Sequence, residues 1–272
     1  MTQRIFLPVA LVILAVTFLI AAVPPARAIE IAAREGIVVD FQTGATLLEK
    51  DADVSMPPAS MSKVMTIYLV FQRLKDGRLN LDDELPVSEK AWRMGGSKMF
   101  VKVGNRVRIE DLIRGVIVAS GNDACIVLAE GLAGTEAAFA EEMTRTAREI
   151  GLTNSTFANA TGWPDPNQRM TARDLATLAH RIITDFPEYY HYFSETEFTW
   201  NGIRQSNRNP LLFKSIGADG LKTGHTKEAG FGLTASAVQG ERRLILVLSG
   251  MSSQKERSEE SARIMAWGFL EF

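Results

Sequence analysis

The chain runs to 272 residues with 46% hydrophobic content and a formal charge of −2. That size and apolar share support one large domain, or two small ones, around a real core. The near-neutral balance excludes both a basic surface built for nucleic acid and a solvated acidic arm. A single cysteine, Cys125, excludes an intramolecular disulfide, so packing alone must hold the fold; an exported enzyme with no stray thiols to mispair would read this way.

The first segment reads as a targeting signal. Arg4 gives a positive start, Ile5 to Val23 is almost wholly apolar, Pro24 and Pro25 break any helix, and Ala26-Arg27-Ala28 has the small-x-small form that signal peptidase accepts. Residues 1–28 are therefore expected to be a signal peptide cut after Ala28. The apolar run is also about long enough to span a bilayer as a retained anchor, but the prolines and the Ala-x-Ala site fit removal better. Two strand-like runs follow, Ala32 to Val39 and Ala45 to Leu48, on either side of a hairpin turn at 40–44. Pro57 and Pro58 stop the chain before a helix expected from Ser60 to about Lys75, with Val64, Ile67, Tyr68 and Phe71 at helical spacing and Asp76-Gly77 as its end. The middle reads as helical: Ile109 to Val118, Asn122 to Ala133, an amphipathic stretch from Glu136 to Ile150, and Thr171 to Ile183 with Thr171 as N-cap. Between the last two, Asn154 to Arg169 is rich in Asn, Thr, Pro and Gly and reads as a long loop. The tail returns to strands at Gly220 to Thr223, Gly230 to Val238 and Leu244 to Leu248, and closes with a helix from about Ser258 to Phe269. Strands at both ends and helices between them suggest one α/β unit, built from 29–75 and 195–272, with a helical insert at about 76–194. No internal repeat or linker interrupts it, and no second folded domain is expected after the last helix.

Three short motifs carry chemistry. In Ser60-Met61-Ser62-Lys63, helical geometry puts residues i and i+3 on one face, so the Lys63 amine adjoins the Ser60 hydroxyl. A lysine made neutral by burial and nearby positive charge can take a serine's proton, and a helix start offers N–H groups to a developing oxyanion. In Ser120-Gly121-Asn122, a hydroxyl and a carboxamide can share one cleft, the first to pass a proton to a leaving amine and the second to hold a substrate amide. In Lys222-Thr223-Gly224-His225-Thr226, strand alternation would turn Lys222 and Gly224 one way and Thr223 and His225 the other, unless a twist or bulge brings Lys222 and Thr223 together. A lysine and a threonine hydroxyl suit a carboxylate, and Gly224 admits a substrate backbone. Each motif alone has an ordinary explanation: Ser60, Ser120 and Asn122 as helix caps, Lys63 as a surface charge, Lys222 as an edge-strand guard. Together, in this order, they form the set shared by penicillin-binding proteins and class A β-lactamases, with Gly121 where the latter carry Asp. His180 and Cys125 read as packed residues, and no His-x-x-x-His or Cys-x-x-Cys spacing supports a metal, so neither metal nor cofactor is expected.

Beyond the motifs, the stretches Pro58 to Thr66, Val118 to Cys125 and Asp219 to Thr226 closely resemble those of the low-molecular-weight penicillin-binding proteins, specifically the D-alanyl-D-alanine carboxypeptidases. Gly96 to Phe100 and Asn159 to Trp163 share the likeness, which spans nearly all of the chain after the signal. The resemblance implies a serine β-lactamase/penicillin-binding-protein-like fold: an antiparallel sheet flanked by helices, with an inserted all-helical subdomain. It implies that Ser60 is the nucleophile, Lys63 the base and Ser120 the proton relay, and that Asn122 binds the acylated side of the substrate. Lys222 would help keep Lys63 neutral, Thr223 would bind the terminal carboxylate, and the backbone N–H groups of Ser60 and His225 would form the oxyanion hole. Arg257 would help hold the carboxylate, its planar fork suiting that group, unless it is an exposed arginine in a charged loop. The implied substrate is a peptidoglycan pentapeptide ending in D-Ala-D-Ala, with β-lactams as covalent inhibitors, no nucleic acid, and residence in the periplasm or cell envelope.

Many relatives continue into a β-rich domain and an amphipathic anchoring helix; neither is expected here, nor a stable membrane anchor after signal cleavage. Three other functions remain open at this point. A class A β-lactamase needs a glutamate in the loop before the third motif, and Asn154 to Arg169 contains none. A D,D-endopeptidase would use the same motifs on crosslinks, and a penicillin-binding sensor or scaffold would use them without turnover.

Overall fold

The computed structural model describes residues 29–272; the expected signal peptide lies outside the described residues. The first strands, β1 (Glu35–Asp40) and β2 (Thr46–Lys50), pair around a turn closed by Asp40, whose carboxylate accepts from the Thr43 N–H at 3.0 Å and hydroxyl at 2.9 Å. A single 3₁₀ turn, Ala59–Ser62, leads into α1 (Lys63–Lys75). Next come β3 (Glu84–Pro86), α2 (Glu89–Arg93), β4 (Arg106–Arg108), α3 (Ile109–Ile117), α4 (Asn122–Ala133), α5 (Glu136–Glu149) and α6 (Ala172–Asp185). The chain then forms the hairpin β5 (Glu197–Trp200) and β6 (Ile203–Ser206), the long strands β7 (Ala218–Thr226), β8 (Gly230–Gln239) and β9 (Arg242–Met251), and the terminal helix α7 (Gln254–Glu271).

The main sheet has the order β2-β1-β9-β8-β7, antiparallel throughout. Strand alternation explains how it joins two cores. Along β9, Leu244, Leu246 and Leu248 face one core with Ile264 and Met265 of α7, while Ile245 and Val247 face the other. The second core contains the buried Val64, Ile67, Tyr68 and Phe71 of α1, the apolar run of α3, and Phe139 and Met143 of α5. Such a strand is apolar at every position because both of its faces are covered. Arg73 of α1 makes a two-pronged bond to Glu142 of α5 at 2.8 and 2.7 Å, which ties these helices together at the rim of the core. Among the described residues, no helix is long and apolar enough to cross a membrane.

Several boundaries differ from the sequence reading. Ser60 sits in the 3₁₀ turn, one step before the α-helix proper. The last helix starts at Gln254, capped by the Ser253 hydroxyl, so Arg257 lies in its first turn and not in a charged loop. The short β3, β4, β5, β6 and α2 carry too few residues to show a period and have no counterpart in that reading. For the cleft, the decisive placement is that of β7. It is one of the two edge strands, and it lies directly on the 59–62 turn: a Cβ on Gly224 would stand 2.9 Å from the Pro58 carbonyl oxygen.

Candidate active site

Ser60 is half-buried at the mouth of the cleft, while Met61, Ser62 and Lys63 turn inward. The tight turn places Ala59 at φ 47°, and the Ser62 hydroxyl donates to the Ala59 carbonyl at 2.9 Å. The Lys63 Nζ lies 2.8 Å from Ser60 Oγ, and its other neighbours are Asn122 Oδ1 at 2.7 Å and the Thr161 carbonyl oxygen. A neutral amine has two N–H donors and one lone pair. Two of these neighbours only accept, so a neutral Lys63 donates to both and turns its lone pair to the Ser60 O–H. Full burial draws the Lys63 pKa down to about 8, with Arg208 acting in the same direction and Cys125 and Asp123 opposing.

Ser120 and Asn122 flank the junction of α3 and α4. Ser120 stands at φ 57°, a left-handed position rare for a serine, at the end of the buried run 115–119. Lys222 Nζ donates to Ser120 Oγ at 2.9 Å and to the Thr223 carbonyl at 3.1 Å. Burial, and then the charge of Lys63, hold Lys222 well below the usual lysine range. Asn122 opens α4; its amide N–H donates to the Ser97 carbonyl at 2.7 Å and its Nδ2 to the Gly95 carbonyl at 2.9 Å. The next residue, Asp123, accepts from the N–H groups of Met99, Phe100 and Val101, which fixes the 97–101 segment over the helix start.

The cleft divides at Ser60 into two halves. One, of about 360 Å³, is lined by Ser97, Ser120, Thr223, Gly224, His225, Phe231, Arg208 and Arg257. Lys222 reaches it from below through Ser120 while Thr223 lines its wall, so both serve the cleft; the register of β7 shifts upstream, between Ala218 and Gly220. Arg257 is buried over the Phe231 ring, and its Nε has no hydrogen-bond partner among the described residues. Burial, and then Arg208, pull its pKa down to about 10. A buried guanidinium with a spare donor at a cleft wall is a receptor for an anion. The other half, of about 250 Å³, is lined by Gly96, Asn122, Thr161, Gly162, Trp163 and Thr226.

The candidate site residues thus gather at one cleft: Ser60, Ser120, Asn122, Thr223, Gly224, His225 and Arg257 line it, and Lys63 and Lys222 lie buried against Ser60 and Ser120. His225 stacks on Phe231 at 3.9 Å, whereas His180 stacks on Phe41 and His191 on Tyr192, away from it. The sequence reading did not single out Arg208, whose Nη1 donates to Ser97 Oγ at 2.5 Å, or the Thr161 carbonyl. Arg208 stands alone between two asparagines with no motif around it, and a carbonyl's role is invisible in side-chain identity.

The chain is similar to known proteins over most of its length. Residues 21–253 match the family model described as D-alanyl-D-alanine carboxypeptidase. D-alanyl-D-alanine carboxypeptidase DacC of Escherichia coli (strain K12) is 45% identical over 247 residues, 88% of this chain; the chain spans 62% of that protein's length. Among solved structures, the D-alanyl-D-alanine carboxypeptidase DacD from Francisella tularensis is similar with a TM-score of 0.88 at 36% identity, over 90% of this chain and 72% of that one. Penicillin-binding protein D2 from Listeria monocytogenes, in its ampicillin-bound form, is similar with a TM-score of 0.81 at 29% identity, over 89% and 98% of the two chains.

Proposed function

The chain belongs to the D-alanyl-D-alanine carboxypeptidase family, and from that premise we propose that it is a serine D,D-carboxypeptidase acting on peptidoglycan stem peptides that end in D-Ala-D-Ala. The observation that carries this reading is the contact of Ser60 Oγ with a buried Lys63 amine whose other neighbours only accept. In the reaction, Lys63 takes the Ser60 proton as Oγ attacks the carbonyl carbon of the penultimate D-alanine. The oxyanion is met by the backbone N–H groups of Ser60 and His225, which both line the cleft. The C–N bond then breaks: Ser120, hydrogen-bonded to Lys222, gives its proton to the leaving amine and is reprotonated from the Lys63 ammonium, so D-alanine departs, an ester remains on Ser60 and Lys63 is a free amine again. Water adds to that ester and its proton returns through Lys63, which releases the shortened peptide and restores the serine hydroxyl.

Binding follows the two halves of the cleft. The terminal carboxylate enters the half with Thr223 and Arg257, where Arg208 adds positive charge and Lys222 reaches up through Ser120. The acylated portion lies in the other half, with the Asn122 carboxamide against its amide. Gly224 lines the carboxylate half instead, and the space a side chain would take there is filled by the Pro58 carbonyl and Met61. Its lack of one therefore serves the packing of β7 on the 59–62 turn and not the substrate backbone expected from the sequence. β-Lactams would acylate the same serine, in keeping with the ampicillin-bound form of the Listeria relative. The sequence of residues 1–28 supports export to the envelope with the signal removed, leaving 29–272 as the catalytic unit.

The test is release of free D-alanine from diacetyl-L-Lys-D-Ala-D-Ala by the purified chain, beside a Ser60→Ala control. The expected result is release by the wild type and none by the variant. No release by a wild type that fluorescent penicillin still labels on Ser60 would overturn the carboxypeptidase reading in favour of acylation without peptide turnover.

A further inference from the structure

The 154–169 segment does more than connect α5 to α6. Within it, the Asn159 carboxamide oxygen accepts from Thr161 N at 3.1 Å, Thr161 Oγ1 at 2.9 Å, Gly162 N at 2.8 Å and Trp163 N at 3.0 Å. The same side chain donates from Nδ2 to the Trp163 carbonyl at 3.0 Å. One short side chain therefore gathers the N–H groups of consecutive residues into a tight turn, as asparagine does in its side-chain-to-backbone turns. The base of the turn is clamped separately, since Gln168 Oε1 accepts from Ala158 N at 2.7 Å and from Asn159 N at 3.1 Å. The turn meets the reacting groups at two points. It sets the Thr161 carbonyl on Lys63 Nζ, and it presses Gly162, at φ 77°, onto the turn before the nucleophile, where a Cβ would stand 1.9 Å from the Ala59 carbonyl oxygen.

We propose that Asn159 is a positioning residue for acylation: by cinching 161–163 it holds the Thr161 carbonyl on the Lys63 amine and so aims the amine's lone pair at Ser60. This rests on the reading of Lys63 as the base. Charged and titratable groups surround that amine on every side: Asp123 and Cys125 from α4, Lys222 from β7, Arg208 from the segment before β7, and Glu136 of α5 behind the turn, where it accepts from Ala160 N. None of them accepts a hydrogen bond from Lys63 Nζ; its partners are Ser60 Oγ, Asn122 Oδ1 and the Thr161 carbonyl. Losing that carbonyl leaves the amine one fixed acceptor, free to swing away from Ser60, and withdraws a dipole that favours the ammonium form.

The test combines two readings on Asn159→Ala and Asn159→Asp: the acylation rate with fluorescent penicillin on its high-pH plateau, and the Lys63 midpoint from a ¹³C titration of protein labelled at lysine Cε. Asn159→Ala is expected to slow acylation by about tenfold or more and to move the Lys63 midpoint down by about half a pH unit. Asn159→Asp keeps the accepting oxygen and is expected to restore the plateau rate. Wild-type plateau rate and an unmoved midpoint in Asn159→Ala, whatever its melting temperature, would overturn the proposal. Should that variant not fold, Asn159→Ser, whose shorter oxygen reaches fewer of the four donors, reads the same two quantities. If Lys63 were not the base, the wild-type acylation profile would fail to track the Lys63 titration, yet Asn159→Ala would still shift it, so the two failures are told apart.

Discussion

Lys63 has no carboxylate against its nitrogen, and its burial is complete. Its folded-state pKa falls from 10.5 to about 8 chiefly because of that burial, so the amine is protonated below about 8 and free above it. Acylation, which needs the free amine, is therefore expected to rise with pH through about 8 and level off beyond. Stopped-flow acylation by fluorescent penicillin across that range measures it, and a flat profile would exclude Lys63 as the base. Lys63's own contribution to folding moves the same way: the burial penalty is full below about 8 and fades as pH climbs toward 10.5. Arg257 bears on recognition, with its unpartnered Nε at the carboxylate half. Arg257→Ala is expected to lower kcat/KM for a D-Ala-D-Ala peptide by about 10- to 100-fold. The same substitution should change little for that peptide amidated at its C-terminus, and equal losses on both would assign Arg257 to packing alone. At this scale the sequence was legible wherever spacing decides contact: i and i+3 delivered the Ser60–Lys63 pair. Arg208 and the Thr161 carbonyl escaped because their place depends on chain reversals tens of residues away.

Elements bring these residues together through close backbone approaches, and those are where a small substitution should cost most. Gly162 combines φ 77° with the Ala59 carbonyl filling the space of a side chain. Gly162→Ala is expected to destabilise the fold by about 2–4 kcal/mol in urea denaturation and to slow acylation in the fraction that still folds. A change within about 0.5 kcal/mol would mean that the loop retreats freely from the Ser60 turn. The start of α7 is a milder case. Ser253 Oγ accepts from Glu256 N at 3.1 Å, and Glu256 Oε2 accepts from Ser252 N and Oγ, both at 2.6 Å. This variant of the capping box was visible in Ser253-Gln254-Lys255-Glu256 and would have moved the helix start to its true place and Arg257 out of a loop. Long elements with a clear period, such as α1 and the strand at Leu244 to Leu248, were legible because burial writes itself into their spacing. The three-residue β3 and β4 were not, because pairing with each other, and not their own composition, makes them strands.

In the whole molecule the two ends of the chain are woven into one sheet, with Glu35 opposite Ser249. Such distant pairing comes late in folding, since loop closure must precede any contact that rewards it. It also binds the helical region to the sheet. Ile37, Ile245 and Val247 of the sheet belong to the same core as Val64 and Phe71 of α1 and Phe139 of α5, so the helices cannot melt without baring a face of β1 and β9. β9 in turn shares Leu244, Leu246 and Leu248 with α7 on its other face. Neither half of the sequence holds a closed core by itself, although a chain of this length is large enough to unfold in stages. The expected outcome is one cooperative transition in urea, with coincident midpoints for far-ultraviolet circular dichroism, tryptophan fluorescence and the capacity of Ser60 to be acylated. The tryptophans sample both sides, with Trp267 on α7 and Trp163 at the cleft. If acylation were lost at lower urea than helicity, the 154–169 loop and β7 would be opening as a unit of their own, and the cleft would be held by local contacts such as the Asn159 turn more than by the shared cores.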